Sequence, residues 1–357
     1  MSAPTGESYW ASVWRRLKKD SAAVVGMSFA GMLFLVALLA PVLANDKPIV
    51  ARLDGSTEFP ALTTYVDTWV PWVGLRNELK SLEVGGGYPF GDHYAALEGK
   101  TWKEAELGFA IWPPVRYSPT QFDGAALKLS PSWEHWLGTD DVGRDVLARM
   151  IHGCVVAMLV GIVSMSISAT IGITSGLAAG YFGGWVDLVF SRITEIVICF
   201  PQFFLIITVI AFLPPSILNI MIVIGLFSWP GMFRLVRGEV LSHREREYVQ
   251  AAVALGIPRW RIIGVHVLPN AISPAFVTIA FGIAGAILTE SGLSFLGFGD
   301  PSAPSWGEVV SQGRRYVGQG MWHLAVFPGL AIFVTLTAYN LLGQALRDAM
   351  DPKLSGR

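Results

Sequence analysis

The residues of this chain that could do chemistry are few and scattered. Its six histidines show no metal-ligand spacing, and no serine or cysteine stands in a nucleophile–base pattern, so an ordinary enzyme is not expected. Gly99-Lys100-Thr101 has the ending of a phosphate-binding loop. That loop needs a glycine five residues before its Gly-Lys pair, where this chain has Tyr94. If ATP is used, another chain must bind it. Glu290 and Ser291 interrupt an apolar run. Ionisable groups in such runs face a protein interior or a wet cavity, so these two are expected to border a pathway and meet a cationic group. Arg192 and Glu195 lie three residues apart on one helical face and are expected to pair locally. Asn219 and Pro201-Gln202 carry no assignment, beyond the kink that Pro201 predicts. The densest pattern is EYVQAAVALGIPRWRIIGVHVLPNAISP, residues 247 to 274.

What must position these residues is a membrane-spanning scaffold. The chain is 52% hydrophobic and only 15% charged, against about 25% charged in a soluble domain. Its mean hydropathy is +0.49. A helical span needs about 20 apolar residues. Charge-free runs at 21–45 and 153–184 supply two spans. The run 196–233 is too long for one and is divided at Pro214-Pro215, its first span beginning near Trp185. Residues 271–289 and 324–346 add two more. The reading is an all-α membrane protein with six transmembrane helices. Cys154 and Cys199 both sit in apolar runs and read as packing residues, not as a disulfide or metal site. The net charge of -1 says nothing about nucleic acid, because the charges are segregated and not absent; no nucleic-acid partner is expected.

Orientation follows from basic residues in short loops. Arg15, Arg16, Lys18 and Lys19 precede the first span. Arg234, Arg237, Arg244, Arg246, Arg259 and Arg261 fall between the fourth and fifth, and Arg347, Lys353 and Arg357 follow the sixth. Both termini are therefore expected in the cytoplasm. The organisation is a tail at 1–21, a first span at 22–44 that stays uncleaved, an extracytoplasmic insertion at 45–136, a five-helix core at 137–346 with a cytoplasmic loop at 234–270, and a tail at 347–357. The insertion is rich in aromatics, including Tyr65, Trp69, Trp72, Tyr88, Phe90, Trp102, Phe109, Trp112 and Tyr117, and holds turn signals such as LDGS. It reads as a small folded cap, either a docking surface or a spacer.

Within 247–274, Glu247 to Leu255 predicts a short helix with a small apolar face of Ala251, Ala252 and Leu255. Gly256 suits the left-handed position that ends a helix. Pro258 suits the start of the next, which runs from Arg259 to about Val267 and ends near Pro269. Ser273-Pro274 predicts the cap and first turn of the fifth span. Small residues on a projecting helix let a partner approach closely, and the join lets that partner tilt the span.

The spacing Gln250-Ala251-Ala252-x3-Gly256-x9-His266-Val267-Leu268-Pro269 resembles the EAA loop of bacterial ABC importer permeases, with Gln250 in place of Glu and His266 in place of Ile. HWLGTDDVGRDVLARMIHG (135–153), GYFGGWVD (180–187), ESGLSFLGFG (290–299) and NLLGQALRDAMDP (340–352) resemble the C-type permease of dipeptide, oligopeptide and nickel importers. ANDKPIVARLDGSTEFPAL is similar to the microcin C and oligopeptide uptake subgroup. The resemblance implies the type I importer permease fold in the bacterial inner membrane. It implies Gln250, Ala251, Ala252, Leu255, Gly256, Ile257 and Pro258 as the element coupled to an ATPase. Implied partners are two ATPase subunits carrying ATP and Mg, a second, different permease chain in a heterodimer, an extracytoplasmic substrate-binding protein and membrane lipid. No cofactor is expected on this chain. The expected cargo is an oligopeptide or peptide-like compound; a nickel chelate, an opine or an oligosaccharide stays open. The rival class is a secondary transporter driven by ion gradients, which tends to show paired intramembrane carboxylates or inverted repeats. Neither is evident here.

Overall fold

The computed structural model describes residues 9–53, 56–62 and 109–350. Among them five helices are long and apolar enough to cross a membrane. They follow a short helix α1 (Tyr9–Lys19) and are α2 (Ser21–Leu43), α3 (Val146–Phe182), α6 (Ile217–Arg244), α10 (Ser273–Phe295) and α12 (His323–Met350). A sixth crossing forms if α4 (Gly184–Cys199) and α5 (Gln202–Ile210), bent by 84° at their junction, count as one span. The expected kink at Pro201 is thus a full break. Pro lacks the N–H that a continuing helix needs, and it disfavours helical geometry in the residue before it. Phe200 accordingly adopts φ -97°, ψ 136°. Pro214-Pro215 separates α5 from α6 as its two missing donors require.

Two compact units divide the chain: 1–31, 159–290 and 333–357 in one, 32–158 and 291–332 in the other. In the first, α3 and α6 approach through glycine. A Cβ on Gly172, Gly176 or Gly180 would stand 2.6 Å from Met232 Cβ, 3.0 Å from the Phe233 carbonyl and 2.8 Å from Val240 Cβ. The four-residue spacing places these glycines on one face, the small-residue stripe that lets membrane helices pack closely. Gly176→Leu is expected to cost about 1–3 kcal/mol by overpacking against backbone. The check is the folded fraction in detergent by size-exclusion fluorescence. An unchanged yield would mean that α3 and α6 do not pack through this stripe.

The second unit adds what an all-α reading omits, a three-stranded antiparallel sheet of order β2-β1-β3. Its strands are β1 (Val50–Leu53), β2 (Ser56–Glu58) and β3 (Phe109–Ile111). Leu53 pairs with Ser56 across the LDGS turn signal, the type of sequence that favours a tight hairpin. Ala51 pairs with Ala110, a contact far apart in sequence. Tyr65, Trp69, Trp72, Tyr88, Phe90, Trp102 and the Gly99-Lys100-Thr101 segment lie outside the described residues.

The first part of the segment 234–270 is helical. α6 continues through Arg244 because Met232, Phe233, Val236 and Val240 keep its inner face buried. Arg234 is exposed on its outer face, where a long stem can carry charge outward, while Arg237 is half-buried and turns to Asp187 of α4. The following segment is also more helical than expected. Pro269 does not end the second helix. Instead α8 (Arg259–Arg261) passes into a π-helical stretch, Ile262–Val267, and then α9 (Leu268–Ala271), with Pro269 in its first turn. Leu268 donates to the carbonyl of Ile263, five residues back. The wider turn shifts the bonding register ahead of a proline that has no N–H to give.

Candidate functional site

The site is built on α7 (Glu247–Ala254) and the turn that follows it. Gly256 has φ +72°. Its N–H donates to Val253 (3.0 Å) and that of Ile257 to Ala252 (3.1 Å). This reciprocal pair is the Schellman closure, which needs a left-handed residue at the glycine position. Pro258 precedes α8 in extended geometry, φ -63° and ψ 141°, and its carbonyl accepts from Arg261 and Ile262.

The turn orients two faces differently. Val249 and Ala252 are buried, in one apolar cluster with Ile262, Val267 and Ala271. That cluster includes Leu177 and Tyr181 of α3, Val236 and Val240 of α6, and Ala275 at the start of α10. Ile257 packs against it from the edge. The adjoining strip carries Tyr248, Ala251 and Leu255, all exposed, with Leu255 79% accessible. The sequence reading placed Ala251, Ala252 and Leu255 together. The structure separates them, because adjacent residues on a helix lie about 100° apart and Ala252 shares its side with Val249. Gln250 is exposed and donates its Nε2 to the Arg244 carbonyl at 3.0 Å, satisfying an end carbonyl of α6. A glutamate could not make that bond. Sequence reasoning missed Trp260, 74% accessible on the turn's far side. Its signal was a large aromatic between two arginines, where burial is not expected.

Charged contacts brace this region. Arg237 of α6 holds Asp187 of α4 bidentately, Nη2 to Oδ2 at 2.6 Å and Nε to Oδ1. Arg192 and Glu195 pair as expected, at 2.6 Å, and both remain exposed. Glu290 and Ser291, expected beside a pathway, are both buried within this chain, Glu290 to 2% accessibility. In this conformation both are enclosed by the chain's own packing.

The second unit organises the HWLGTDDVGRDVLARMIHG stretch around Asp140. Its Oδ1 accepts from the backbone N–H of Val142 (3.0 Å) and Arg144 (2.8 Å). Its Oδ2 accepts from Arg144 Nε and Arg149 Nη1, both at 2.7 Å. Arg149, 1% accessible, also donates to Gln312 Oε1 at 2.6 Å. Gln312 lies on α11 (Trp306–Tyr316), capped by Ser305 accepting from the Glu308 N–H. Burial holds the Glu308 carboxyl above the usual carboxylate range, outweighing the opposite pull of Arg149. Asp145 accepts from the Ala148 N–H at 2.8 Å, capping α3, and its other oxygen lies 2.8 Å from His135 Nδ1. These contacts join loop and helix starts; they form no catalytic arrangement.

The family model described as binding-protein-dependent transport system inner membrane component matches residues 172–356. A second model, the N-terminal TM domain of oligopeptide transport permease C, matches residues 8–55. A peptidoglycan transport system permease protein of Agrobacterium fabrum is 32% identical over 96% of this chain and 93% of its own length. That coverage takes in most of residues 45–136. A dipeptide transport system permease protein of Alkalihalophilus pseudofirmus is 41% identical over 63% of this chain and 74% of its own length. A glutathione transport system permease protein of Pectobacterium atrosepticum is 40% identical, covering 65% and 77% respectively.

Proposed function

We propose that this chain, which belongs to the binding-protein-dependent transport system inner membrane component family, is the multi-pass permease subunit of an ATP-driven peptide importer. It is a membrane subunit and not an enzyme. One observation carries the mechanism: α7 has two adjoining apolar strips, and only one is covered. Val249 and Ala252 lock the element to α3, α6 and α10, while Tyr248, Ala251 and Leu255 stand open with Trp260 beyond the turn. A partner seated on the open face would move the packed face with it, because a close-packed cluster transmits displacement better than it absorbs it.

In this reading the partner is an ATPase subunit, and its closure drives alternating access. ATP and Mg reside there. Two ATPases, an extracytoplasmic binding protein and a second, different permease chain complete the importer, with lipid around the exposed apolar helices. Both termini and α7 face the cytoplasm, and residues 45–136 lie outside. Oligopeptides or peptide-like compounds are the cargo, consistent with the names of the three relatives.

The test is co-purification in nanodiscs with the neighbouring ATPases and partner permease. Two ATPases per permease pair are expected, with hydrolysis stimulated several-fold by peptide-loaded binding protein. Failure to retain any ATPase would overturn the reading of 247–274. Hydrolysis that ignores loaded binding protein would overturn import.

A further inference from the structure

Helix α1 has the sequence YWASVWRRLKK and holds no acidic residue. Its residues sort into strips, because four-residue steps return to one side of a helix. Val13 and Leu17 are buried, in a cluster with Ala23 of α2 and with Ala345 and Ala349 of α12. Trp10, Trp14 and Lys18 form the adjoining strip and are exposed, the two tryptophans to 47% and 52%. Arg15 and Lys19, also exposed, lie on the side away from Val13 and Leu17. Arg16 turns inward instead, and its Nη1 donates to the Ala349 carbonyl at 3.3 Å, near the end of α12. Lys18 Nζ stands 5.2 Å from the Trp14 ring centroid, so aromatic and basic groups share one surface.

The contacts of α1 fix its depth. Only Asp20 separates it from α2, and Asp20 Oδ1 accepts from the Ala22 N–H at 2.8 Å. α2 is apolar from its first turns, where Val24 and Val25 are exposed. Lys18 and Lys19 thus come little more than a turn before an open apolar surface. Ala345 lies at the end of the apolar run of α12, and Ala349 one turn beyond, past Arg347 and Asp348. Trp10 packs edge-on against Phe276 in the first turn of α10, ring centroids 5.3 Å apart. α1 therefore lies where α2 and α10 begin and the apolar run of α12 ends. At such a boundary tryptophan favours the headgroup layer, and lysine stems reach charge from it. The core of a protein–protein contact, by contrast, is depleted in lysine.

We propose that α1 is a binding site for anionic phospholipid. The ammonium groups of Lys18 and Lys19 and the Arg15 guanidinium take a headgroup of net negative charge, and Trp10 and Trp14 sit at the top of the acyl chains. A helix divided in this way lies in the plane of the interface. Each basic group there favours an anionic surface about fivefold. Lipid held on α1 ties the starts of α2 and α10 to the end of α12. The inference goes beyond the importer reading and needs only that these helices cross a bilayer.

The test places the permease and its partner subunits in phosphatidylcholine nanodiscs doped with phosphatidylglycerol that carries a photoreactive group at its glycerol backbone. Cross-links are mapped by peptide mass spectrometry, with phosphatidylcholine carrying the same group as control. Phosphatidylglycerol should label residues 9–19 at least about fivefold more than the control. Lys18→Gln with Lys19→Gln should bring the two probes to parity, and Lys18→Arg with Lys19→Arg should keep the preference. Added salt should narrow it, and inorganic phosphate should displace no more label than chloride of equal ionic strength. Equal labelling of the wild type by both probes makes α1 an ordinary lipid contact and overturns the site. Displacement specific to inorganic phosphate gives the strip to a free anion and overturns it too. The same follows if neither probe labels 9–19, or if the glutamine variant loses an ATPase or the partner permease in lipid-free detergent, since the strip then faces water or protein. If the wild type retains no partner subunit, the importer reading fails, and the same mapping on the permease chain alone still decides the lipid site.

Discussion

Gly256→Asp is expected to leave the permease folded and to bring peptide uptake to background. The two halves of that result have separate causes. Gly256 holds φ +72°, and a Cβ there would meet nothing within 4 Å. Asp and Asn are the non-glycine residues that best tolerate this left-handed region, at a cost of about 1 kcal/mol. The Schellman bonds of Gly256 and Ile257 survive, because they use backbone atoms alone. The carboxylate, however, would project beside Leu255, whose burial in the proposed ATPase seat would be worth about 1.5–3 kcal/mol. Enclosing an unpaired charge in that groove costs several kcal/mol more. Together these predict at least a hundredfold weaker ATPase retention. Gly256→Asn carries the same backbone cost without the charge and should keep most uptake. Equal loss in both variants would locate the effect in the turn's conformation and refute an ATPase seat at this turn.

Asp140→Ala is expected to be the most destabilising single change in the second unit, by about 3–5 kcal/mol. It removes the partner of a guanidinium that is already under-satisfied. Arg149 Nε and Nη2 have no hydrogen-bond partner among the described residues, and without Asp140 the guanidinium would keep the Gln312 Oε1 bond and the more distant Glu308 carboxyl. Two backbone N–H groups, at Val142 and Arg144, would also lose their acceptor. Arg149→Met should cost less, under about 2 kcal/mol, because Asp140 keeps Arg144 and both N–H bonds. The measurement is thermal unfolding in detergent, followed by a maleimide dye that reaches buried Cys154, with Cys199 replaced. A drop of roughly 10 °C is expected for Asp140→Ala. Equal shifts for the two variants would show that packing volume, and not the stranded charge, sets the cost.

Much of this protein was determined by sequence alone. The spans were legible because a bilayer offers the backbone no hydrogen bonds, so an apolar run of sufficient length has to be helical. The ends of α7 were legible because Gly256 and Pro258 act through their own φ and N–H, which need no distant partner. A kink at Pro201, though not its full break, and the division at Pro214-Pro215 were legible for the same reason, and the Arg192–Glu195 pair because three residues make it local.

Tertiary structure decided what depends on partners far along the chain. The face of α7 that stays open, with Ala251 outward and Ala252 inward, was set by the packing of Val249 against α3 and α6. α6 outran its first arginine because Val236 and Val240 found a core. Pro269 was absorbed by a π-turn that no propensity announces. Glu290, read as lining a path, was enclosed, and Ala51 met Ala110 across a gap that no periodicity could bridge. The meeting of Pro201 and Pro230 on one cavity was likewise invisible in the sequence. Each proline announces its own missing bond, but only the packing of α5 on α6 brings the two prolines together.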